Sequence, residues 1–315
     1  MAELEVVEGG AATAPASAKY RTTIFPEDRH VPDELAAMIL DLERLLNCKI
    51  WLIIQQGQDD FDEIGETLYW KFLEKNSEIV PNERVALLIH SPGGHVRWSY
   101  QIVRLFQRRT DQFLTIVPLF AKSAATLIAI GGREIIMGAD AELGPLDVQI
   151  FDPKTEEMHS ALEHVQSFWR LNEYGLAAFD KAMQLLCQRT GKKPIDLIGH
   201  AVEYAASIID PLVAKIDTIE LTRKFRELHE AEEYAQRVLH SNYTAEESSV
   251  IAKALTEGYP THGFIIDRVE AGSEGKVGER LGLHIVEPSA EVEEAFSCLV
   301  PYLLRGTFVG RIVRA

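Results

Sequence analysis

Three apolar runs, all within residues 85–149, dominate the hydrophobic pattern of this chain. Residues 85–89 (VALLI), 113–120 (FLTIVPLF) and 134–137 (EIIM) each have about the length of a strand, and each is followed by small and then polar residues. Strands that are apolar on both faces are typical of buried, largely parallel sheets. The pattern therefore predicts a buried sheet whose strand ends carry short polar loops.

Helical patterns lie between these strands. Residues 96–109 (VRWSYQIVRLFQRR) repeat apolar side chains at every third or fourth position, and residues 124–130 have the composition of a short buried helix. Strand, turn and helix thus alternate, which predicts βαβ units and an α/β fold. Ahead of them we expect a helix over residues 33–46 and a further core strand over residues 49–54.

The C-terminal half of the chain has a mainly helical pattern. We expect helices over residues 158–189, 195–209 and 217–239. The second of them is predicted to end at Asp210-Pro211, because a residue that precedes proline disfavours the helical conformation.

Composition divides the chain into three parts. Residues 1–19 are acidic and then rich in Ala, Pro, Gly and Ser, as expected of a flexible tail. Residues 20–150 hold the α/β core. Residues 151–315 form a helical extension that completes the same domain and either caps the sheet or contacts other copies of the chain. Within this extension, Thr244 and Glu247 have the spacing of a capping box, which predicts the start of a helix.

A net charge of −16 narrows the range of partners, because both nucleic acids and anionic membrane surfaces attract basic faces. No apolar stretch reaches the roughly 20 residues of a membrane span, and the N-terminus lacks the basic start and apolar core of a signal peptide. The three cysteines are widely separated and form no metal-ligand cluster, which indicates reduced thiols. We therefore expect a cytoplasmic protein that binds neither nucleic acid nor membrane and uses no metal or cofactor.

Ser123 lies where the second apolar run passes into a helix, and its neighbours are small. Free N–H groups and the dipole at a helix N-terminus favour developing negative charge. Gly93 and Gly94 follow the adjacent strand and can turn their N–H groups outward, as residues with side chains seldom can. Together the two loops offer a nucleophile and an oxyanion hole, which acyl transfer requires. The alternative interpretation is a helix cap at Ser123 and a plain turn at the glycines.

The SPGG turn, the AKSAAT segment around Ser123 and the MGADAELGPLDVQ segment resemble the Clp-protease/crotonase superfold. Within it they are similar to the serine dehydrogenase proteinase family, a relative of the Clp proteolytic subunit and of signal peptide peptidase A. The resemblance implies a spiral of βαβ units and an ATP-independent serine peptidase that acts on peptides or proteins, with Ser123 as nucleophile. It also implies an oxyanion hole formed by Gly93, Gly94 and the N–H of Ala124, and a homo-oligomer.

The general base is less directly specified. Clp-type relatives carry a histidine on the strand after the nucleophile helix, whereas residues 142–149 of this chain hold Asp147 and no histidine. The resemblance to serine dehydrogenase proteinases implies the order Ser, Asp, His, in which Asp147 orients an imidazole that takes the proton. His262, in a Pro-Thr-His-Gly turn, is the first choice for this base, and Asp267 is an alternative orienting acid.

Four other side chains stay open as the base. His95 directly follows the two glycines, and Lys122 adjoins Ser123. A serine–lysine dyad, as in signal peptide peptidase relatives, needs a buried lysine whose pKa is lowered. Lys181 and Lys215 lie on helical patterns and reach the serine only through a particular tertiary arrangement.

Two other classes of function remain open. The same superfold includes crotonase-type acyl-CoA enzymes, in which paired N–H groups polarise a thioester carbonyl and no serine attacks; Ser123 argues against this class. A catalytically inactive scaffold that binds a peptide is the second alternative, and the missing histidine beside Asp147 favours it.

Overall fold

The computed structural model describes residues 19–26, 31–57, 63–147, 149–152, 157–272 and 281–315. The tail predicted for residues 1–19 lies outside the described residues, except for Lys19. The described helices are α1 (Asp33–Leu46), α2 (Glu66–Glu74), α3 (Val96–Arg109), α4 (Ala124–Ala129), α5 (Ala161–Thr190), α6 (Ile198–Val213), α7 (Thr218–Leu239), α8 (Ala245–Glu257), α9 (Arg268–Ala271) and α10 (Ala290–Leu303). The described strands are β1 (Tyr20–Thr22), β2 (Lys49–Ile54), β3 (Val85–His90), β4 (Phe113–Val117), β5 (Phe120–Ala121), β6 (Ile135–Met137), β7 (Glu142–Leu143), β8 (Gln149–Asp152), β9 (Glu157–Ser160), β10 (Ile266–Asp267), β11 (Ile285–Val286), β12 (Phe308–Gly310) and β13 (Ile312–Arg314).

The main sheet has six strands in the order β11-β6-β4-β3-β2-β12. All neighbours are parallel except β12, which pairs antiparallel with β2. Every residue of the central strand β3 is buried, as the continuous apolar run predicts. The fold is thus a mixed α/β architecture around a largely parallel sheet.

Each face of this sheet packs against its own layer of helices. Along β3, Leu87 and Ile89 point to the face covered by α2, α3 and α4, where Phe72 and Phe106 lie. The intervening Leu88 points to the opposite face, which α1 and α10 cover. This alternation is the period-two geometry of a strand, and it explains why both faces of the run are apolar.

A second, smaller sheet positions the polar loops. Its order is β10-β7-β5, with β5 parallel to β7 and β10 antiparallel to β7. Ile266 lies opposite Leu143, and Ala121 pairs with Leu143 from the other side. The smaller sheet therefore brings β7 and β10, which are remote in sequence from β5, close to Ser123.

The structure confirms some of the predicted bounds in the core and refines others. Helices α1 and α3 and strand β2 have the bounds that the pattern predicts. The run 113–120 is not one strand, because it divides at Pro118 into β4 in the main sheet and β5 in the smaller one. Proline has no N–H to donate to a ladder, so the chain leaves the main sheet at that point.

Two predicted helices of the extension need correction. Residues 157–160 pair with residues 149–152 as a hairpin, so α5 begins at Ala161 and not at residue 158. The predicted end at Asp210-Pro211 is wrong, because α6 continues through Pro211 to Val213. The proline lies in the last turn, where its missing N–H removes a single helical hydrogen bond.

The capping box is confirmed. The Thr244 side chain accepts from the N–H of Glu247, whose own side chain accepts from the N–H of Thr244, at the start of α8. Among the described helices, none has the length and apolar character needed to cross a bilayer.

Candidate active site

Ser123 has a strained backbone. It lies between β5 and α4 with φ 49° and ψ −123°, a conformation that costs a residue with a side chain about 1–3 kcal/mol. Its side chain makes no capping hydrogen bond to α4, so the interpretation of Ser123 as a helix cap is wrong. The residue is half-buried, and its hydroxyl has no hydrogen-bond partner within the described part of the chain.

The SPGG turn lies against the segment that carries Ser123. Ser91 and Ala121 form a parallel bridge, in which the N–H of Lys122 donates to the Ser91 carbonyl at 3.0 Å. The N–H of Ser91 donates in turn to the Phe120 carbonyl at 3.4 Å. These main-chain bonds hold the glycine turn and the serine turn side by side.

Gly93 and Gly94 meet a steric requirement at this contact. Their φ values are 122° and 141°, a region that side-chain-bearing residues rarely adopt. A Cβ on Gly93 would lie 2.9 Å from the Cβ of Ser123, and one on Gly94 would lie 2.5 Å from the backbone of Ile64. Only glycine permits both approaches.

The N–H groups of the predicted oxyanion hole differ in their hydrogen bonding. The N–H of Gly93 donates to the Ser91 hydroxyl at 3.2 Å. Those of Gly94 and Ala124 have no acceptor within the described residues. The free donors are therefore the N–H of Gly94 in the SPGG turn and the N–H of Ala124 at the start of α4. Gly93 allows the SPGG turn to approach Ser123 closely, because it has no side chain.

Thr126 joins the serine helix to the segment that leads to Asp147. Its buried hydroxyl lies 2.8 Å from the carbonyl oxygens of both Ala121 and Gly144, and it accepts from the N–H of Gly144. A Cβ on Gly144 would meet the Lys122 side chain at 2.8 Å. The Gly144 segment therefore packs directly beside the turn that contains Ser123.

Asp147 and His262 lie close enough in the folded chain for their charges to interact. Asp147 is only 3% exposed, and burial raises the pKa of its carboxyl, while the Ser160 hydroxyl, the charge on His262 and the N–H of Leu162 oppose that shift. His262 is half-buried, and its Nδ1 is buried without a hydrogen-bond partner in the described part of the chain. An orienting acid accepts a hydrogen bond from the imidazole N–H. Here His262 Nδ1 makes no hydrogen bond to Asp147, whose carboxylate accepts from the N–H of Leu162 at 3.4 Å.

Backbone pairing brings the His262 turn to this place. β10 follows the turn and pairs with β7, and the N–H of Leu146 donates to the Leu255 carbonyl of α8 at 2.8 Å. The turn itself is closed by a bond from Phe264 N–H to the Thr261 carbonyl. Both ends of the turn are thereby attached to the segment that contains Asp147.

The structure places the alternative residues as follows. Lys122 forms an ion pair with Glu142 at 2.8 Å. Asp267 caps α9 by accepting from the N–H of Glu270 at 2.8 Å. His95, Lys181 and Lys215 are exposed, the first immediately before α3 and the others on or after the long helices of the extension.

Sequence reasoning missed Ser91, Gln55, Thr126 and Ser160. Each acts through hydrogen bonds to residues of another element, so nothing in its local sequence distinguished it. Ser91 was nevertheless visible as the first residue of the SPGG turn.

No metal centre is evident among the described residues, which contain no group of three or more His, Cys, Asp or Glu side chains that could hold an ion. The cysteines Cys48, Cys187 and Cys298 are free thiols, and burial raises the pKa of Cys48 to about 11.

Part of this chain is similar to a known protein family, and a larger part is similar to two archaeal proteins. Residues 73–167 match the family described as ClpP-like SDH-type serine proteinase. Uncharacterized protein MJ0137 of Methanocaldococcus jannaschii is 27% identical over 223 residues, or 68% of this chain and 63% of the relative. Uncharacterized protein MJ1495 of the same organism is 26% identical over 235 residues, or 72% of this chain and 65% of the relative. The matched regions thus span slightly less than two thirds of both relatives.

The family match covers the elements that build the site. It runs from α2 into α5 and includes the glycine turn, Ser123 and Asp147, and it ends before His262. Over residues 73–167, which make up less than a third of the chain, this protein is similar to the ClpP-like SDH-type serine proteinase family.

Proposed function

We propose that this chain is a serine peptidase that hydrolyses peptide bonds through an acyl-enzyme on Ser123, on a Clp/crotonase-like spiral of βαβ units. One observation carries the proposal. Ser123 is held in a strained conformation against Gly93, with its hydroxyl free of any capping bond. Strain of this kind persists where the surrounding structure enforces it, and it is common at catalytic residues.

The proposed acylation step uses Ser123 as nucleophile and His262 as base. The Ser123 oxygen attacks the substrate carbonyl and forms a C–O bond, while His262 accepts the hydroxyl proton. Collapse of the tetrahedral intermediate breaks the C–N bond, and His262 returns the proton to the leaving amine. Water then attacks the acyl-enzyme by the same route and releases the second product. Catalytic hydrogen bonds are often long in the free enzyme and tighten only when substrate binds.

Asp147 serves as the orienting acid. Its carboxylate interacts with the charge on His262, and the Nδ1 of that imidazole is buried without a partner among the described residues. Asp147 stabilises the imidazolium that forms when Ser123 gives up its proton. Asp267 is less suitable, because its carboxylate already caps α9.

The oxyanion is stabilised by backbone donors. The N–H groups of Gly94 and Ala124 have no acceptor in the described structure. Gly94 lies in the SPGG turn, and Ala124 is the first residue of α4, directly after Ser123. Gly93 keeps the space between these turns open. Removal of one such donor typically costs about 100-fold to 1,000-fold in kcat.

The assembly and setting are part of the proposal. We infer a homo-oligomer that acts on peptides or proteins, in which the helical extension, residues 151–315, completes the domain and contacts other copies. Free thiols at Cys48, Cys187 and Cys298 are consistent with a reducing compartment such as the cytoplasm.

The second candidate function is a scaffold that binds peptides without cleaving them. It is favoured by the absence of a hydrogen bond from the Ser123 hydroxyl to any base in the described structure. A crotonase-type acyl-CoA enzyme would use the N–H groups of Gly94 and Ala124 and would not need the Ser123 hydroxyl.

Fluorophosphonate labelling followed by peptide mapping tests the proposal. We expect an adduct on Ser123 that is lost in Ser123→Ala and kept in Ser297→Ala, which removes an exposed hydroxyl on α10. His262→Ala and Asp147→Asn should each slow labelling. Lys215→Ala, at an exposed residue, should leave the rate unchanged.

An unlabelled Ser123 in a folded protein would contradict the peptidase. Acyl-CoA binding would then favour the crotonase-type activity, and peptide binding without cleavage would favour the scaffold.

A further inference from the structure

A buried polar pair lies next to the glycine turn. Ser91 and Gln55 are both 0% exposed, and the Ser91 hydroxyl donates to Gln55 Oε1 at 2.8 Å. The same hydroxyl oxygen accepts from the N–H of Gly93 at 3.2 Å. Buried polar groups are costly unless they are hydrogen-bonded, so this chain of three groups is tightly constrained.

The pair lies where three strands end. Gln55 follows β2, and its N–H donates to the His90 carbonyl at the end of β3 at 2.8 Å. Ser91 follows β3 and bridges to Ala121 in β5. The side-chain bond between Ser91 and Gln55 therefore links the SPGG turn to the rigid central sheet.

The direction of these bonds is determined by their chemistry. A backbone N–H can only donate, so Ser91 accepts from Gly93, and its own proton is directed to the amide oxygen of Gln55. The Gly93 peptide cannot rotate without leaving a buried donor or acceptor unpaired. The next peptide, which carries the N–H of Gly94, is thereby restrained while that N–H stays free of intramolecular acceptors in the described structure.

We propose that Ser91 and Gln55 are positioning residues that hold the Gly93-Gly94 turn in the conformation that presents the Gly94 N–H to the substrate carbonyl. This inference rests on the proposed function, because it assigns a role within the same acyl transfer. Neither side chain contacts the reacting atoms. Their effect on the reaction passes through the backbone of the turn.

Two variants break the pair from opposite sides. Ser91→Ala removes the acceptor for Gly93, and Gln55→Leu removes the acceptor for Ser91. We expect each to slow Ser123 labelling and kcat by about 10-fold to 100-fold, less than the full loss of an oxyanion donor, with KM changed by less than about twofold. The double variant should be no slower than the slower single one, because both remove the same support.

Ser99→Ala is the matched control. Ser99 is also 0% exposed, but its hydroxyl has no partner among the described residues, so its loss removes buried volume without breaking a hydrogen bond. Ser99→Ala should keep the wild-type labelling rate. Ser91→Thr retains the hydroxyl and should recover most of the rate lost in Ser91→Ala.

Amide hydrogen exchange separates this inference from the peptidase itself. In Ser91→Ala and Gln55→Leu, the peptide that contains Gly93 should exchange faster, whereas thermal unfolding should confirm that the variants are folded. If exchange at the turn were faster in the variants but Ser123 of the wild type were not labelled, Ser91 and Gln55 would still hold the turn, and only the peptidase activity would be contradicted. Wild-type labelling rates in Ser91→Ala, or unchanged exchange at the turn, would overturn the inference.

Discussion

At the scale of single residues, the candidate site contains one unfavourable backbone conformation, that of Ser123. Asn47, Asn82 and Ser123 are the described non-glycine residues with positive φ, and only Ser123 adjoins the glycine turn. Its strain is maintained by main-chain bonds on both sides, from Lys122 to Ser91 and from Thr126 to the Ser123 carbonyl. The Ser123 hydroxyl thus makes no capping hydrogen bond to the helix that begins after it.

Replacing Ser123 by glycine should distinguish the effect of backbone strain on stability from the role of the hydroxyl in labelling. Glycine adopts this φ without a Cβ clash, so Ser123→Gly should raise the free energy of unfolding by about 1 kcal/mol, after the entropy of the added glycine offsets part of the gain. Ser123→Ala keeps the Cβ and should not gain stability. Both variants should lose labelling. Equal urea unfolding midpoints for the two would show that Ser123 stores no strain.

At the scale of elements, the buried strand β3 includes one ionisable side chain, that of His90. The strand ends in His90, which is 0% exposed, and its ring lies 4.0 Å from that of Phe120. Both ring nitrogens lack hydrogen-bond partners in the described structure, and burial lowers the pKa of His90 from 6.5 to about 4. The strand therefore carries a neutral imidazole at ordinary pH.

This imidazole should make the fold sensitive to acid. Above pH 6.5 it is neutral in both states, but as the pH falls towards 4 the unfolded chain binds a proton that the folded chain excludes. The free energy of unfolding should then decrease by up to about 3 kcal/mol. His90→Leu should remove that part of the acid sensitivity in urea unfolding across this pH range.

His229→Leu provides the comparison, because the His229 side chain is 70% exposed. It should leave the acid sensitivity as in the wild type. If His90→Leu lost stability between pH 6.5 and pH 4 as steeply as the wild type, the assignment to His90 would be wrong.

At the scale of the whole molecule, the α5–α6 hairpin exposes several large apolar side chains. α5 has 30 residues and is about 45 Å long, and α6 buries only Ala201 and Ala205. Leu176, Ile198 and Val202 are between 41% and 61% exposed. Exposed apolar patches of this extent are typical of interaction surfaces.

We therefore expect the predicted homo-oligomer to use this hairpin. Leu176→Glu combined with Val202→Glu should place charges in the contact and lower the molar mass measured by light scattering. Val250→Glu, at a residue of α8 that is 63% exposed, should leave the mass unchanged. A monomeric wild type, or an unaltered oligomer in the double variant, would contradict this prediction.

Several elements of the fold and part of the candidate site could be predicted from the sequence, because each is marked by a pattern of neighbouring residues. Continuous apolar runs predict buried strands, the Thr244 and Glu247 spacing predicts a cap, and Ser123 and the glycines are recognisable from their neighbours. The end of α6 was mispredicted, since the rule for proline does not apply with full force in the last turn of a helix.

The sequence by itself marked Ser123 as the candidate nucleophile and located the glycine turn, because each is encoded within a few consecutive residues. It also predicted the α/β class, because the strand and helix patterns alternate along the chain. Only the tertiary structure decided which histidine lies near Asp147, since the pairing of β7 with β10 brings the turn that contains His262 close enough for the two charges to interact. The Ser91–Gln55 bond likewise exists only where the ends of β2 and β3 lie side by side. Contacts between residues far apart in the chain depend on packing, which no local pattern specifies.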